Sequence, residues 1–389
     1  MTPGPCWAEI NLTQLKENFR LVQRHVGPER QVLAVVKADA YGHGAVPVAR
    51  ALEEAGVDYL GVAAVNEGVE LRQAGIRKPI LVLTGFFPGE EKELLEFDIT
   101  PGVTECDQLE RLEAAARVAN VPGRQAGRKV RIHLKIDTGM GRLGIACREV
   151  TRIAEKLAAS PLFELEGLYT HFASSEDFTS DQTEDQVRRF EEARAAFAAR
   201  GLRPPLLHLA NTGAVVARPE TWGTMVRPGS VLYGFQSFFK FPEGQDRTAE
   251  FAAQLPVKPV LTLKARVYLV RDYPAAAPLG YGARFVTQRP SRIAVLPIGY
   301  GHGWRRALSG NCRIILRGKY APTVGTIGMD LTLADVTDIP GAQPGDEVIF
   351  IGSNGTVAIP PAEPARALGT VCSEILSGLN RRVPRVYCD

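Results

Sequence analysis

No stretch of about 18 apolar residues occurs in this 389-residue chain, which excludes a transmembrane helix. The opening MTPGPCWAEINL has neither the basic start nor the apolar run of a secretory leader, so a cytoplasmic protein is expected. Cysteine is sparse and scattered. Cys6, Cys106, Cys147, Cys312, Cys372 and Cys388 include no C-x-x-C pair, which argues against a zinc ribbon, a redox dithiol or a disulfide scaffold. An excess of one charge is missing too: 46 basic against 43 acidic residues leave +3, too little to expect a nucleic acid or a membrane surface as partner. The six histidines show no H-x-x-x-H pair and no clustered carboxylates, so no metal is expected. Neither a G-x-x-x-x-G-K-[ST] loop nor a G-x-S-x-G elbow is present, which removes the P-loop and the α/β-hydrolase nucleophile.

Hydrophobic residues make up 45% and charged residues 23%, so the chain buries a core and disorder is excluded as its main state. At about 150 residues per domain the length suggests two or three domains, or one large barrel with a smaller companion. Apolar, β-branched runs at 32–37, 59–64, 80–84, 97–103, 130–137, 166–171, 206–210 and 224–228 alternate with helical patterns, among them 105–118 and 181–200. Eight strands in such alternation indicate a (β/α)8 barrel rather than an open doubly wound sheet. Beyond about residue 250 the texture changes. Strands at 257–271, 291–298, 312–316, 329–336 and 346–351 lie between Pro- and Gly-rich turns, with a helix only at 364–378. The expected fold class is α/β, an N-terminal (β/α)8 TIM-type barrel over 1–245 followed by a mainly β C-terminal domain over 246–389. A linker is expected within 240–255, and the early strand at 6–10 could pair with the β-domain instead.

Catalytic groups of such barrels sit at the C-terminal ends of the strands. Those ends hold Lys37, then Lys135, Asp137 and Arg142, then His171, then Asn211 and Thr212, then Arg227, Gly229 and Ser230. Any one charged strand end is ordinary, but their convergence on one mouth is not. A lysine closing a buried apolar strand either snorkels or is used chemically, as a carbonyl cofactor would use it. Tyr41, in the loop behind Lys37, could donate its hydroxyl to a phosphate, or be a plain loop aromatic. Arg227-Pro-Gly-Ser230 and Thr212 occupy the loops where barrels often bind phosphate. Gly139-x-Gly141-x-x-Gly144 follows a strand and matches the dinucleotide fingerprint, but it lies at the fifth strand of eight and carries a bulky Arg142. His133 and His208 alternate with apolar residues and read as satisfied core histidines.

The segments AVVKADAYGHG, HLKIDTGMGRLG, YTHFA, HLANTGA, MVRPGSVLYG, GYGARF and VGTIGMD, in this order over nearly the whole chain, resemble the alanine racemases. The resemblance implies a pyridoxal 5′-phosphate (PLP) enzyme, a homodimer whose active sites take residues from both subunits, and D-alanine supply for peptidoglycan. It implies Lys37 as the Schiff-base lysine and one catalytic base, with Tyr281 of the partner chain as the other. Arg142 and Met329 would meet the substrate carboxylate. Tyr41, Thr212, Gly229 and Ser230 would hold the phosphate, Arg227 would face the pyridine nitrogen, and His171 would orient Tyr281. Lys135 matches a lysine often carbamylated in the family; a strand lysine paired with an acid is the other reading.

Racemisation fits these residues because it removes the α-proton on one face and returns one on the other, which needs a base on each. Three positions depart from the family pattern: Arg381 where a tyrosine is common, His302 where an acid is common, and Thr326 where an entrance arginine is frequent. They bear on substrate size rather than reaction type. The alternatives are a racemase of serine or of broader specificity, a decarboxylase of the same architecture, a non-catalytic PLP-binding protein and a nicotinamide oxidoreductase. Against the decarboxylase stand the missing H-G-P-x-C-D motif and the arginine at 227.

Overall fold

The computed structural model describes residues 4–118, 129–236 and 238–389. The chain forms two compact units, one comprising Lys16–Ala38 and Ala45–Val257, the other Met1–Leu15, Asp39–Gly44 and Lys258–Asp389.

In the first unit all eight expected strands are present and parallel: Gln31–Val35, Tyr59–Val62, Ile80–Val82, Thr100–Val103, Val130–Asp137, Phe163–Tyr169, Leu206–His208 and Met225–Val226. They pair in chain order, and the last pairs with the first. Between the seventh and eighth the ring is closed by the Thr224 N–H donating to Leu207 O at 2.9 Å and the Arg227 N–H donating to Ala210 O at 3.0 Å. The run expected at 97–103 is shorter than its hydrophobicity suggests. Its first residues cap the helix Glu91–Glu96, and Asp98 takes φ +48° before the strand starts at Thr100.

The barrel interior is shaped by glycines. A Cβ on Gly167 would collide with the His133 ring, one on Gly102 with the Tyr169 hydroxyl, and one on Gly61 with Leu33. The larger side chains fill the space those glycines vacate. Gly167→Ala is therefore expected to cost about 1–3 kcal/mol of overpacking. A melting temperature within a degree of the parent's would contradict that packing.

The second unit is a mixed sheet in the spatial order Leu269–Tyr273, Ser291–Leu296, Thr332–Asp335, Lys319–Val324, Arg313–Leu316, Glu347–Asn354, Leu261–Arg266, Cys6–Asn11, Arg385–Cys388. Cys6–Asn11 runs antiparallel to Leu261–Arg266 and parallel to Arg385–Cys388, so the early strand does belong with the β-unit. The single strand expected at 257–271 is two, and the helix expected at 364–378 is also two, Ala362–Leu368 and Cys372–Ser377, separated where Gly369 turns at φ +64°. The stretch at 240–255 carries a helix, Thr248–Gln254, whose Phe251 is buried. No helix of the described residues is long and apolar enough to cross a membrane.

Candidate active site

Lys37 follows the first barrel strand and opens an unusual turn. Ala38, Asp39, Ala40 and Tyr41 have φ of 54°, 53°, 52° and 55°, a left-handed turn built without glycine. Each such residue costs about 1–2 kcal/mol, so the turn persists only if its surroundings hold it. At its start Glu67 accepts from the Ala38 N–H at 2.7 Å and from the Ala63 N–H at 2.7 Å. Within the β-unit, the Gly42 carbonyl accepts from Arg385 Nε at 2.9 Å, and Nδ1 of His43 lies 3.0 Å from both the Ala40 and Tyr41 carbonyls. Gly44 leaves no room for a Cβ beside the Tyr387 hydroxyl. Burial pushes the Tyr41 hydroxyl up to about 12, which keeps it a neutral donor.

The other barrel residues form a cationic group. Burial, then Arg142 and Arg227, pull the Lys37 amine below its ordinary value. Lys135 is only 6% exposed and is brought down to about 8 by burial and by Arg227, Arg142 and Lys37. Its ammonium lies 5.7 Å from the centre of the Tyr169 ring. Arg227, 4% exposed, is fixed by its terminal nitrogens. They donate to the carbonyls of His208, Thr170 (2.6 Å) and Leu209 (3.0 Å), and face Nδ1 of His208 and His171 at 3.3 and 3.4 Å. Among the described residues these bonds leave its Nε–H for a ligand. Burial and the same cations drive His171 down to about 2, so it is a neutral imidazole. With Nδ1 facing Arg227, its proton sits on Nε2.

Gln186 was missed by sequence reasoning, and it places His171. Its Nε2 donates to the His171 carbonyl at 2.9 Å and to Thr138 Oγ1 at 3.1 Å, while its Oε1 accepts from the Ala173 N–H at 2.9 Å. Its signal was a polar residue on the inward face of the helix Gln182–Ala198.

The Arg142 loop is wound around Asp137, whose Oδ1 accepts from the Gly139 and Gly141 N–H groups at 3.0 Å each. Gly144 has φ +128°, and a Cβ there would meet the Asp137 amide at 2.7 Å. The chain then enters a two-residue strand, Ile145–Ala146, paired with Ile136 and Asp137. The glycines therefore serve a loop and not a helix N-terminus, and the Gly139 and Gly141 amides that a pyrophosphate would need are taken by Asp137, which counts against the dinucleotide reading. Two further loops do meet: the Gly229 N–H donates to Thr212 Oγ1 at 2.9 Å, with Ser230 next in the chain.

In the β-unit, Tyr281 sits in a turn between Gly280 and Gly282, both at φ +70°, and is 73% exposed. The Thr326 hydroxyl donates to the Tyr281 carbonyl at 3.2 Å, which steadies the turn. Met329 is 54% exposed, and its carbonyl accepts from the Gly301 N–H at 2.8 Å. His302 is buried with Nδ1 accepting from the Gly299 N–H at 3.2 Å, which makes it a brace of its own loop. Arg381 is exposed.

The barrel mouth thus gathers cations around a lysine whose amine is pulled below its ordinary value, a neutral histidine and two loops joined by the Gly229–Thr212 bond. Such a set suits an anionic carbonyl compound with an acceptor nitrogen. Family models agree with this picture: the alanine racemase N-terminal domain matches residues 10–237 and the C-terminal domain residues 260–387. An alanine racemase of Syntrophobacter fumaroxidans is 39% identical, covering 96% of this chain and 95% of its own. One of Symbiobacterium thermophilum is also 39% identical, covering 98% and 97%. Among solved structures, the alanine racemase of D-cycloserine-producing Streptomyces lavendulae superposes with a TM-score of 0.90 at 33% identity, covering 100% of this chain and 98% of that one. That of Bartonella henselae, with covalently bound pyridoxal phosphate, gives 0.84 at 29%, covering 99% and 100%.

Proposed function

The chain belongs to the alanine racemase family, and on that premise we propose that it interconverts L- and D-alanine by two-base chemistry on PLP, in a homodimer with shared sites. The observation that carries this reading is the cation group around Lys37, whose amine burial and Arg142 make easier to deprotonate against the opposing pull of Glu67. The residues fit the cofactor. Lys37 would hold it covalently, Tyr41, Thr212, Gly229 and Ser230 would take its phosphate, and the Nε–H of Arg227 would face its ring nitrogen. When bound, PLP acidifies the α-proton by delocalising the resulting negative charge into its ring.

The remaining work falls to side chains. Lys37 moves a proton on one face of the α-carbon. Tyr281 of a second copy moves one on the other, and its exposure in this chain is what a donated residue requires. His171, with its proton on Nε2, would donate to the Tyr281 oxygen and orient it. Arg142 and Met329 would fix the substrate carboxylate. D-alanine for cell-wall peptidoglycan is the product use this reading implies, and six free thiols suit a cytoplasmic enzyme. Given PLP and L-alanine, the protein should approach an equal mixture of enantiomers, and should racemise L-serine more slowly. A faster rate on serine would make it a serine racemase on the same scaffold.

Lys135 is proposed to be carbamylated. A neutral amine attacks carbon dioxide, and an amine at about 8 is largely neutral at mildly alkaline pH. The product carboxylate would face Arg142 and relieve the crowding of cations. With 13C-bicarbonate, the protein should show a carbamate resonance that weakens as pH falls below about 8 and is absent in Lys135→Ala. Its absence from the parent protein would leave Lys135 an ordinary buried lysine.

A further inference from the structure

Barrels of this kind usually stack branched apolar side chains in their interior. Here a polar column runs through it. The Tyr59 hydroxyl donates to Glu166 Oε2 at 2.6 Å, and His133 Nε2 lies 3.2 Å from the same oxygen. His133 Nδ1 is 2.9 Å from His208 Nε2, and His208 Nδ1 is 3.3 Å from an Nη of Arg227. Both imidazoles are fully buried, and Tyr59 and Arg227 nearly so. Glu166 is partly exposed and also meets Arg131 at 3.4 Å. The His208 ring is stacked on Tyr169 with centroids 4.7 Å apart, and Gly167 leaves the space His133 occupies.

A neutral imidazole has one N–H and one lone pair, so bonds in series allow one proton arrangement. The carboxylate at one end only accepts, which puts the His133 proton on Nε2. His133 Nδ1 is then a lone pair and needs the proton of His208 on Nε2. That leaves His208 Nδ1 as a lone pair facing a guanidinium, which only donates. Any other arrangement sets two donors or two lone pairs against each other. Burial holds both rings neutral. It also raises Glu166, but the hydrogen bonds from His133 and Tyr59 outweigh it and keep the group a carboxylate.

We propose that Glu166 is a positioning residue for Arg227. Through His133 and His208 it fixes the lone pair that holds the guanidinium in place against the cofactor ring nitrogen. The proposal rests on the reading that Arg227 faces that nitrogen. An arginine there donates a hydrogen bond without surrendering its proton. The ring stays a weaker electron sink, and the side reaction that turns alanine into pyruvate is suppressed.

The test uses holoenzyme carrying 15N-histidine. In the parent protein both His133 and His208 should be protonated on Nε2 alone. Glu166→Leu removes the terminal acceptor. Arg227 at the other end still favours the original arrangement, but the buried His133 Nε2–H has lost its acceptor, so a second tautomer should appear as a minor population at both rings, placing an N–H of His208 against Arg227. The ratio of pyruvate to D-alanine should rise about tenfold, the effect of losing one hydrogen bond to a charged group. Glu166→Gln keeps an acceptor oxygen and should restore both the tautomers and the ratio. Glu166→Met is read in the same way if the leucine variant does not fold. An unchanged histidine spectrum in the variant would overturn the proposal. So would an altered spectrum with an unchanged ratio, provided Arg227→Glu raises that ratio. Should Arg227→Glu itself leave the ratio unchanged, the ring-nitrogen reading fails, and the histidine spectrum still decides whether Glu166 sets the column.

Discussion

Lys37→Ala should form D-alanine about 10⁴-fold more slowly than the parent protein, the upper end for one positioned proton-transfer group. The effect should be that large because Lys37 has two tasks, holding the cofactor and moving a proton. Its amine is suited to both by burial and by the cations Arg142 and Arg227, which favour its neutral form. Mass spectrometry after chemical reduction should find the mass of PLP fixed to the parent chain and not to the variant. A variant that keeps a tenth of the activity would show that another amine does the work, and Lys135 is the one at hand.

Tyr281→Phe should slow racemisation by about 10²–10⁴ while leaving the cofactor bound and the fold intact. The side chain is 73% exposed, and its hydroxyl makes no hydrogen bond among the described residues for the change to disturb. Its loss should also be one-sided: α-proton exchange should persist for one enantiomer and vanish for the other. A mixing experiment separates this from ordinary damage. Lys37→Ala and Tyr281→Phe proteins, each inactive alone, should regain activity when their subunits are exchanged, because half of the mixed dimer's sites then draw both bases from intact chains. Full exchange restores about a quarter of all sites, since half of the dimers are mixed in a closed two-fold assembly. No recovery, with subunit exchange demonstrated, would place both bases in one chain.

Much of this was legible in the residues because barrels have a strong period. The eight apolar runs mark eight real strands, and the strand ends carry the electrostatically coupled Lys37, Lys135, Arg142, His171 and Arg227. The alternation in Ile132-His133-Leu134-Lys135 puts His133 and Lys135 on the same side of a strand, which is the clue to both. The second unit was less readable. Lys319–Val324 contains a proline, Val357–Ile359 is three residues long, and Arg385–Cys388 is a four-residue strand directly after Pro384, so none carries a clean strand pattern. The left-handed turn after Lys37 was invisible. Ala-Asp-Ala-Tyr has no glycine to announce positive φ, and the conformation is imposed by Glu67 at one end and the bonds around Gly42–Gly44 at the other. Glu166 and Gln186 went unnoticed for a similar reason. A polar residue on a strand or helix shows its role only when the partner across the barrel is known.

The central claim is that two bases act from opposite faces, and isotope exchange addresses it most directly. L-alanine incubated with the protein and PLP in deuterated water should give D-alanine that carries deuterium at the α-carbon from the first turnovers. The L-alanine left behind should stay largely undeuterated at that stage, because the proton taken on one face is not the one returned on the other. D-alanine that retains the original hydrogen would mean that a single group carries the proton across, and would contradict the assignment of Lys37 and Tyr281 as separate bases.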